Sequence, residues 1–172
     1  MTKTKITLIC FFLIALISAV IAFTDRTPFE KRTPAVGDMA PELFLADKTG
    51  KMLSLADYRG KVVLLYFWAD WCPPCKEKLT DLQKIYAAYA AKGFDIIAIH
   101  IDDVSPRDIE KSGTFFQVIK ANERATRDYG NVNDVPVSFL VGKNGRILKK
   151  RNRPYEEADL RSDIEKALSS GL

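Results

Sequence analysis

The pattern of hydrophobic and polar positions divides the chain into three parts. Residues 6–23 are apolar except for Thr7, Cys10 and Ser18, a run long enough to cross a bilayer as a helix. Residues 24–36 mix charges with prolines, as is typical of an extended linker. Beyond them, short stretches with strand and helix periodicity alternate to the C-terminus. We therefore expect a membrane anchor or signal segment at 1–23, a linker at 24–36 and one domain at 37–172.

Apolar runs bounded by turn residues predict the strands of this domain. Val62–Trp68 is continuously apolar, as expected of a strand that is covered on both faces, and Phe94–Ile101 is predicted to be a second buried strand. The dipeptide Asn144-Gly145 is a strong signal for a hairpin between two later strands. Shorter strands are predicted at Leu43–Ala46, Lys51–Ser54, Phe115–Ile119, Val137–Val141 and Arg146–Lys149.

Helical spacing of apolar residues predicts the remaining elements. The first helix contains the apolar residues between 79 and 89 and is expected to end at Gly93. Further helices are predicted at Glu123–Tyr129 and Tyr155–Ser170, and one or two helical turns at Pro106–Lys111. Strands that alternate with helices, followed by a closing hairpin and helix, predict an α/β fold with helices flanking a central mixed β-sheet.

Basic residues before the apolar segment predict that the domain is exported. Lys3 and Lys5 are expected to stay in the cytoplasm, so that the domain lies in the periplasm or on the outer surface. Cleavage after Ala22 would instead release a soluble domain. The length of the apolar run favours an uncleaved, single-pass anchor in the cell membrane, with Cys10 as a small apolar residue within it.

The charge distribution argues against nucleic acid as a partner. The formal net charge is +4, and it falls to +2 without Lys3 and Lys5. A nucleic-acid-binding domain concentrates basic residues on one face. The one basic run in the domain, Lys149–Arg153, is interpreted as a solvated strand end.

The residues with the clearest chemistry are Trp71-Cys72-Pro73-Pro74-Cys75, between a predicted buried strand and a predicted helix. A thiol at a helix N-terminus is near the positive end of the helix dipole, which favours the thiolate. A two-residue spacer lets the second thiol close a ring with the first. Proline suits the first helical positions because its missing N–H would be unpaired there. Cys72 and Cys75 are therefore predicted to be a redox pair.

Other roles for the cysteine pair fit less well. A tetrahedral zinc site needs four ligands, whereas the domain has two cysteines and His100, so we predict no metal site and no cofactor. A structural disulfide that closes so short a loop would stabilise the fold little. A copper-binding module would use thiolates, but it usually has more widely spaced cysteines and a downstream histidine. A peroxidase does not need this spacer. His100 is interpreted as a core or loop histidine.

Five stretches of the predicted domain match the pattern of a known family when they are taken together. They are Gly37–Pro41, Leu53–Lys61, Phe67–Cys75, Tyr129-Gly130 and Val135–Leu140. The chain from Gly37 onward resembles the TlpA/ResA-like thiol–disulfide oxidoreductases of bacterial envelopes, in the thioredoxin superfamily. The resemblance implies a thioredoxin-like fold, with Cys72 as the exposed nucleophile and Cys75 as the resolving thiol.

The same resemblance implies a substrate-binding surface around the thiols. The Val135–Pro136 peptide bond is expected to be cis and to face the cysteines. Such a proline leaves a backbone edge on which an extended substrate chain can pair. We expect Trp71, Pro73, Val135 and Pro136 to contact the substrate.

Three positions depart from the pattern of the family. Tyr66 stands where thioredoxins commonly carry a buried acid, Lys78 where ResA-like members often carry glutamate, and Thr80 where many members carry proline. The first two departures leave the proton route to Cys75 unassigned. Asp70 and Glu77 are interpreted as solvated charges. Lys78 lies one turn beyond Cys75, and its charge is expected to favour a thiolate.

The direction of electron flow is expected to be toward the substrate. Strongly oxidising relatives tend to carry a histidine between the cysteines, where this chain has Pro73 and Pro74. Both prolines also remove N–H groups that would stabilise a thiolate at Cys72. The expected partners are disulfide-containing envelope proteins, for example apocytochromes in cytochrome c biogenesis, and a membrane thiol donor. An envelope thiol oxidant is the alternative.

Overall fold

This computed structural model describes residues 13, 14, 16–18, 33–47, 49–102 and 115–171, and from residue 33 onward the described residues form seven strands and three α-helices. The strands are β1 (Phe44–Ala46), β2 (Met52–Ser54), β3 (Val62–Trp68), β4 (Phe94–His100), β5 (Gln117–Lys120), β6 (Val137–Val141) and β7 (Ile147–Arg151). The α-helices are α1 (Pro73–Tyr89), α2 (Glu123–Asp128) and α3 (Glu157–Ser169), and 3-10 turns lie at Leu55–Tyr58 and Ala90–Lys92. The helical turn predicted at Pro106–Lys111 is outside the described residues.

Five of the strands form one mixed sheet in the order β5-β4-β3-β6-β7. Strands β3, β4 and β5 are parallel to one another, whereas β6 pairs antiparallel with both β3 and β7. Strands β1 and β2 form a separate antiparallel hairpin. This arrangement confirms the predicted α/β fold with a mixed central sheet and flanking helices.

The central strand β3 separates two hydrophobic cores. All of its residues are buried, and alternate side chains point to opposite faces of the sheet. Even-numbered residues such as Leu64 and Tyr66 pack in the core that α1 and α3 cover. Odd-numbered residues such as Leu65 and Phe67 pack in the core that β1, β2 and α2 cover. The continuous apolar run of β3 is therefore needed for burial on both faces.

Several predicted boundaries differ from the structure. Strand β5 was expected at Phe115–Ile119 but begins at Gln117. Phe116 is buried without being part of the strand, because a side chain can be buried without ladder hydrogen bonds on its main chain. The 3-10 turn at Leu55–Tyr58 was not predicted. It begins with a capping box in which Ser54 and Asp57 bond each other's main-chain N–H groups.

The basic run in β7 is only partly a solvated strand end. The Lys149 ammonium lies 3.8 Å from a carboxylate oxygen of Asp163, and the Arg151 guanidinium lies 3.5 Å from the same carboxylate group. Both side chains contact α3, which covers this side of the sheet. The Arg151 side chain is therefore largely covered by α3 rather than solvated, whereas the Lys149 side chain is 52% exposed, in agreement with the interpretation.

The predicted anchor at 1–23 lies largely outside the described residues. Within it, Leu13, Ile14 and residues 16–18 are helical and exposed. None of the helices in the described ranges is both long and apolar enough to cross a bilayer. Thr33–Leu172 forms one compact unit. Its first residues are bound to β7 by two main-chain hydrogen bonds, from the Gly37 N–H to the Ile147 carbonyl and from the Ile147 N–H to the Asp38 carbonyl.

Candidate active site

The two cysteines lie where β3 leads into α1. Cys72 is the N-cap residue of α1, Pro73 and Pro74 occupy its first two positions, and Cys75 the third. Cys72 and Cys75 form a disulfide with Cα atoms 5.3 Å apart. Cys72 is 4% exposed and Cys75 is fully buried. The first cysteine is thus the more accessible, although less exposed than expected.

Main-chain donors near Cys72 are few. Pro73 and Pro74 have no N–H group. The N–H of Cys75 donates to the carbonyl oxygen of Cys72 over 3.0 Å, and that of Lys76 donates to the same oxygen over 3.3 Å. The Cys72 sulfur is therefore near the positive end of the α1 dipole, but the first three helical positions provide no free N–H group for it.

The predicted substrate-contacting residues come together around the disulfide. The Val135–Pro136 peptide bond is cis, as the resemblance implies. The carbonyl oxygen of Val135 lies 3.7 Å from the sulfur of Cys72. Pro136 is buried directly before β6, whereas Trp71 is 59% exposed beside the cysteine and Pro73 is exposed at the helix start. An extended chain laid against Val135 would thus pass the Cys72 sulfur.

The exposed Trp71 is held by Asp102, a residue that sequence analysis missed. One oxygen of the Asp102 carboxylate accepts a hydrogen bond from the Trp71 indole N–H over 2.8 Å. The other oxygen accepts from the main-chain N–H of Asp70 over 3.2 Å. Asp102 follows β4, which is parallel to β3, so both strands end at the same edge of the sheet. That adjacency is the signal that would have identified Asp102.

Comparison with known proteins identifies the family of this site. The model of the AhpC/TSA family matches residues 36–150. This chain belongs to the AhpC/TSA family. A relative named thiol–disulfide oxidoreductase ResA, from Geobacillus thermodenitrificans, is 32% identical over an alignment of 159 residues, and the match covers 89% of this chain and 91% of the relative. ResA of Bacillus subtilis is 31% identical over an alignment of 122 residues, and the match covers 69% of this chain and 68% of that protein.

Solved structures agree with this assignment. A Chlorobium tepidum protein described as thiol:disulfide interchange protein DsbE has 35% sequence identity and a TM-score of 0.71. The similarity covers 79% of this chain and 99% of that protein. This member of the AhpC/TSA family is therefore a ResA-like thiol–disulfide oxidoreductase with a thioredoxin-like fold.

Asp70, two residues after β3, and His100, the last residue of β4, are in contact. His100 is 1% exposed at the end of β4, and its Nε2 lies 3.3 Å from the Asp70 carboxylate. Its Nδ1 accepts a hydrogen bond from the main-chain N–H of Asp102 over 3.3 Å. Lys76 lies 3.2 Å from the other oxygen of Asp70. His100 is thus a core histidine, as interpreted, but Asp70 is paired rather than simply solvated. Glu77 is exposed.

The two family departures nearest to Cys75 have separate contacts. The buried Tyr66 hydroxyl donates to the carbonyl oxygen of Cys75, and burial raises the pKa of Tyr66, which keeps the phenol protonated. The Lys78 ammonium lies 3.1 Å from Asp81 and lowers the pKa of that carboxyl. Lys78 is therefore neutralised in part by Asp81, which opposes the effect on a thiolate that its sequence position suggested.

Proposed function

We propose that this oxidoreductase reduces disulfides in exported proteins. One observation supports electron flow toward the substrate. Pro73 and Pro74 occupy the first two helical positions, and the Cys75 N–H donates to the carbonyl oxygen of Cys72 rather than to its sulfur. A Cys72 thiolate therefore lacks the two main-chain donors that other residues would offer at positions 73 and 74, and the Cys75 N–H is bonded to the Cys72 carbonyl oxygen in the disulfide form. Because stabilising the reduced form makes a disulfide more oxidising, a thiolate with less stabilisation makes the pair more reducing.

The reaction proposed begins with the reduced pair. The Cys72 thiolate attacks one sulfur of the substrate disulfide, whose S–S bond breaks, and the departing substrate thiolate takes up a proton. Cys75 then loses its proton and attacks the Cys72 sulfur, which releases the second substrate thiol. Two electrons have passed to the substrate, and the enzyme holds the Cys72–Cys75 disulfide seen in the structure. A thiol donor must reduce that disulfide before the next cycle.

The proposed substrate surface is formed by Trp71, Pro73, Val135 and Pro136. Its support is geometric: the Val135 carbonyl and the Cys72 sulfur are 3.7 Å apart, so a chain paired with Val135 brings its own disulfide to the nucleophile. The proposed substrates are envelope proteins with disulfides, such as apocytochromes that await haem. The proposed donor is a membrane protein with exchangeable thiols.

The reduction potential of the Cys72–Cys75 couple tests the direction of electron flow. A potential near that of thioredoxin, about −270 mV, is expected, whereas a value near about −120 mV would identify an oxidant. Pro74→Ala restores one N–H at the helix start and is expected to raise the potential. Thr80→Ala, an exposed substitution on the same helix, is the matched control and should leave it unchanged.

We also propose that residues 1–23 remain attached as a single-pass membrane anchor, with the domain in the periplasm or on the outer surface. The support is the length of the apolar run and the two lysines before it. Intact-mass measurement of the protein from the membrane fraction is expected to give the full chain. A mature protein that begins at Phe23 would show that the segment is a cleaved signal peptide.

A further inference from the structure

The C-terminal end of β7 reaches the active-site edge of the sheet. Ser138, two residues after the cis proline, pairs with Arg151 in β7. Because β6 and β7 run in opposite directions, residues 152 and 153 continue beyond Arg151 toward the edge at which Pro136 lies. This strand end therefore borders the surface on which a substrate chain would lie.

Two basic residues in this strand end are neutralised by α3. The Arg151 guanidinium lies 3.6 Å from Asp159 and 3.5 Å from Asp163. The Lys149 ammonium lies 3.8 Å from Asp163. These two cations face the helix and are already paired, so they offer little to an incoming anion.

The other two basic residues, Lys150 and Arg153, form no ion pair with a carboxylate in the part of the chain that the structure describes. Lys150 lies with its ammonium 5.5 Å from the centre of the Phe139 ring. Partial burial lowers the pKa of Lys150. A cation that has lost hydration without gaining an anion has a favourable interaction available for an incoming carboxylate. Arg153 is exposed just beyond the strand.

A cleft of about 190 Å³ opens beside Lys150. Its lining includes Val137, the first residue after the cis proline, so the cleft adjoins the chain segment that carries Val135 and Pro136. Asn131, Asn133 and Asn152 line it with Lys150, and asparagine side chains are able to donate hydrogen bonds to anionic oxygens. Asp134, next to Val135, is the acidic residue in the lining, and its charge would repel an anion. An anionic group is therefore expected on the Lys150 side of the cleft.

We propose that Lys150, Asn152 and Arg153 form a docking surface for acidic residues that lie close to the reactive cysteine of a disulfide substrate. The proposal rests on the function proposed above and specifies which disulfides the enzyme prefers. Charges at the rim of a binding surface act mainly on association rate and on discrimination between partners. The preference should therefore weaken as salt is added, because exposed charges are screened.

The test compares two peptide disulfides that are identical except for glutamates or glutamines beside the cysteines. The full chain in its dithiol form should show a higher kcat/KM for the glutamate peptide at low ionic strength. The double variant Lys150→Glu with Arg153→Glu should lower that value by roughly tenfold or more and leave the glutamine peptide nearly unchanged. Lys166→Glu is the control, with a charge reversal in the last turn of α3. That helix end contacts Lys143 in the β6–β7 turn, at the opposite end of the sheet.

Each outcome has a separate meaning. A wild-type protein that reduces neither peptide contradicts the proposed function itself. Equal rates for the two peptides, unaffected by the double variant, overturn the docking surface and leave the reductase proposal intact. An equal loss on both peptides would show that the substitutions disturb the cis-proline edge rather than an acidic docking site, and this also overturns the inference.

Discussion

The Tyr66 hydroxyl donates a hydrogen bond to the main-chain carbonyl oxygen of Cys75 across 3.3 Å of buried space. This contact joins the central strand β3 to the first turn of α1. Because burial raises the pKa of Tyr66, the phenol acts as a donor and not as an acid over the working pH range. At the position where thioredoxins commonly carry a buried acid, this chain therefore has a group that positions the helix start.

Tyr66→Phe should lower the free energy of unfolding by about 1 kcal/mol, the usual net worth of one hydrogen bond. The pH dependence of turnover should stay unchanged between about pH 6 and pH 9, since the phenol does not titrate there. Denaturant unfolding and a pH–rate profile measure the two effects. A shifted profile would mean that Tyr66 takes part in proton transfer to or from Cys75.

The two cysteines should behave differently when they are removed one at a time. Cys75→Ala leaves the more accessible Cys72 without its resolving partner, so mixed disulfides with substrate proteins should accumulate and be released by added reductant. Cys72→Ala should abolish turnover and trap nothing. Mass spectrometry of the adducts checks this assignment, and trapping by Cys72→Ala alone would reverse it.

Pro136→Thr should impair formation of the mixed disulfide, because it changes the backbone edge on which the substrate chain is proposed to lie. We expect a higher KM for protein disulfides, with a smaller change for a low-molecular-weight disulfide that does not use the edge. Steady-state kinetics with both substrates separate the two cases. Equal losses on the two substrates would place the effect at the thiols instead.

Asp102 should act through Trp71. Asp102→Ala removes the acceptor for the indole N–H and should raise KM for protein substrates roughly threefold to tenfold, with kcat little changed. Trp71→Phe keeps an aromatic ring but removes the same hydrogen bond. In a double-mutant cycle, Asp102→Ala should therefore cost less in the Trp71→Phe background than in wild type. Additive losses would show that the two residues act independently.

Lys78 should influence Asp81 more than it influences the thiols. Lys78 is the main cause of the lowered pKa of Asp81, with Lys84 as a weaker one. Lys78→Met should raise that pKa toward its ordinary value, which an NMR titration of the carboxyl would show. Lys84→Met, at the more exposed and more distant lysine, is the matched control and should shift it less.

The sign of the accompanying stability change follows from linkage. A carboxyl whose pKa is lower in the folded chain stabilises the fold above its unfolded pKa, and this contribution is lost as the pH falls through the folded pKa. Wild type and Lys78→Met should thus differ in stability near neutral pH and converge as the pH falls below the lowered pKa of Asp81 in the folded wild-type chain. A thiol titration that changes strongly in Lys78→Met would restore the interpretation that Lys78 stabilises a thiolate.

The elements that could be predicted from the sequence are strands buried on both faces and turns with a characteristic residue pattern. Val62–Trp68 is found at its predicted bounds because a strand covered on both faces must be apolar throughout. The cysteine motif was identified because its two-residue spacer and its prolines, which are visible in the sequence, directly determine how the two thiols can react. Short edge elements such as β5 were placed less well, since the burial of Phe116 satisfies the same pattern without a strand.

Contacts between elements were not accessible from local pattern. Asp102, His100 and Asp70 are brought together only when the ends of β3 and β4 are set side by side in the sheet. The Tyr66 contact with Cys75 likewise depends on how α1 packs over β3. The capping box at Ser54 is an exception, because its two residues lie three apart in sequence and the signal was present.

The position of β7 at the edge of the sheet gives its charges a second consequence. An edge strand exposes a row of unpaired N–H and carbonyl groups, to which a strand of another chain can add. Lys149, Lys150 and Arg151 occupy three successive positions of this strand. Desolvating such cations against a foreign strand is costly, so Lys150, which would attract an acidic substrate, also protects the sheet from edge-to-edge aggregation, together with its two neighbours that are paired with α3.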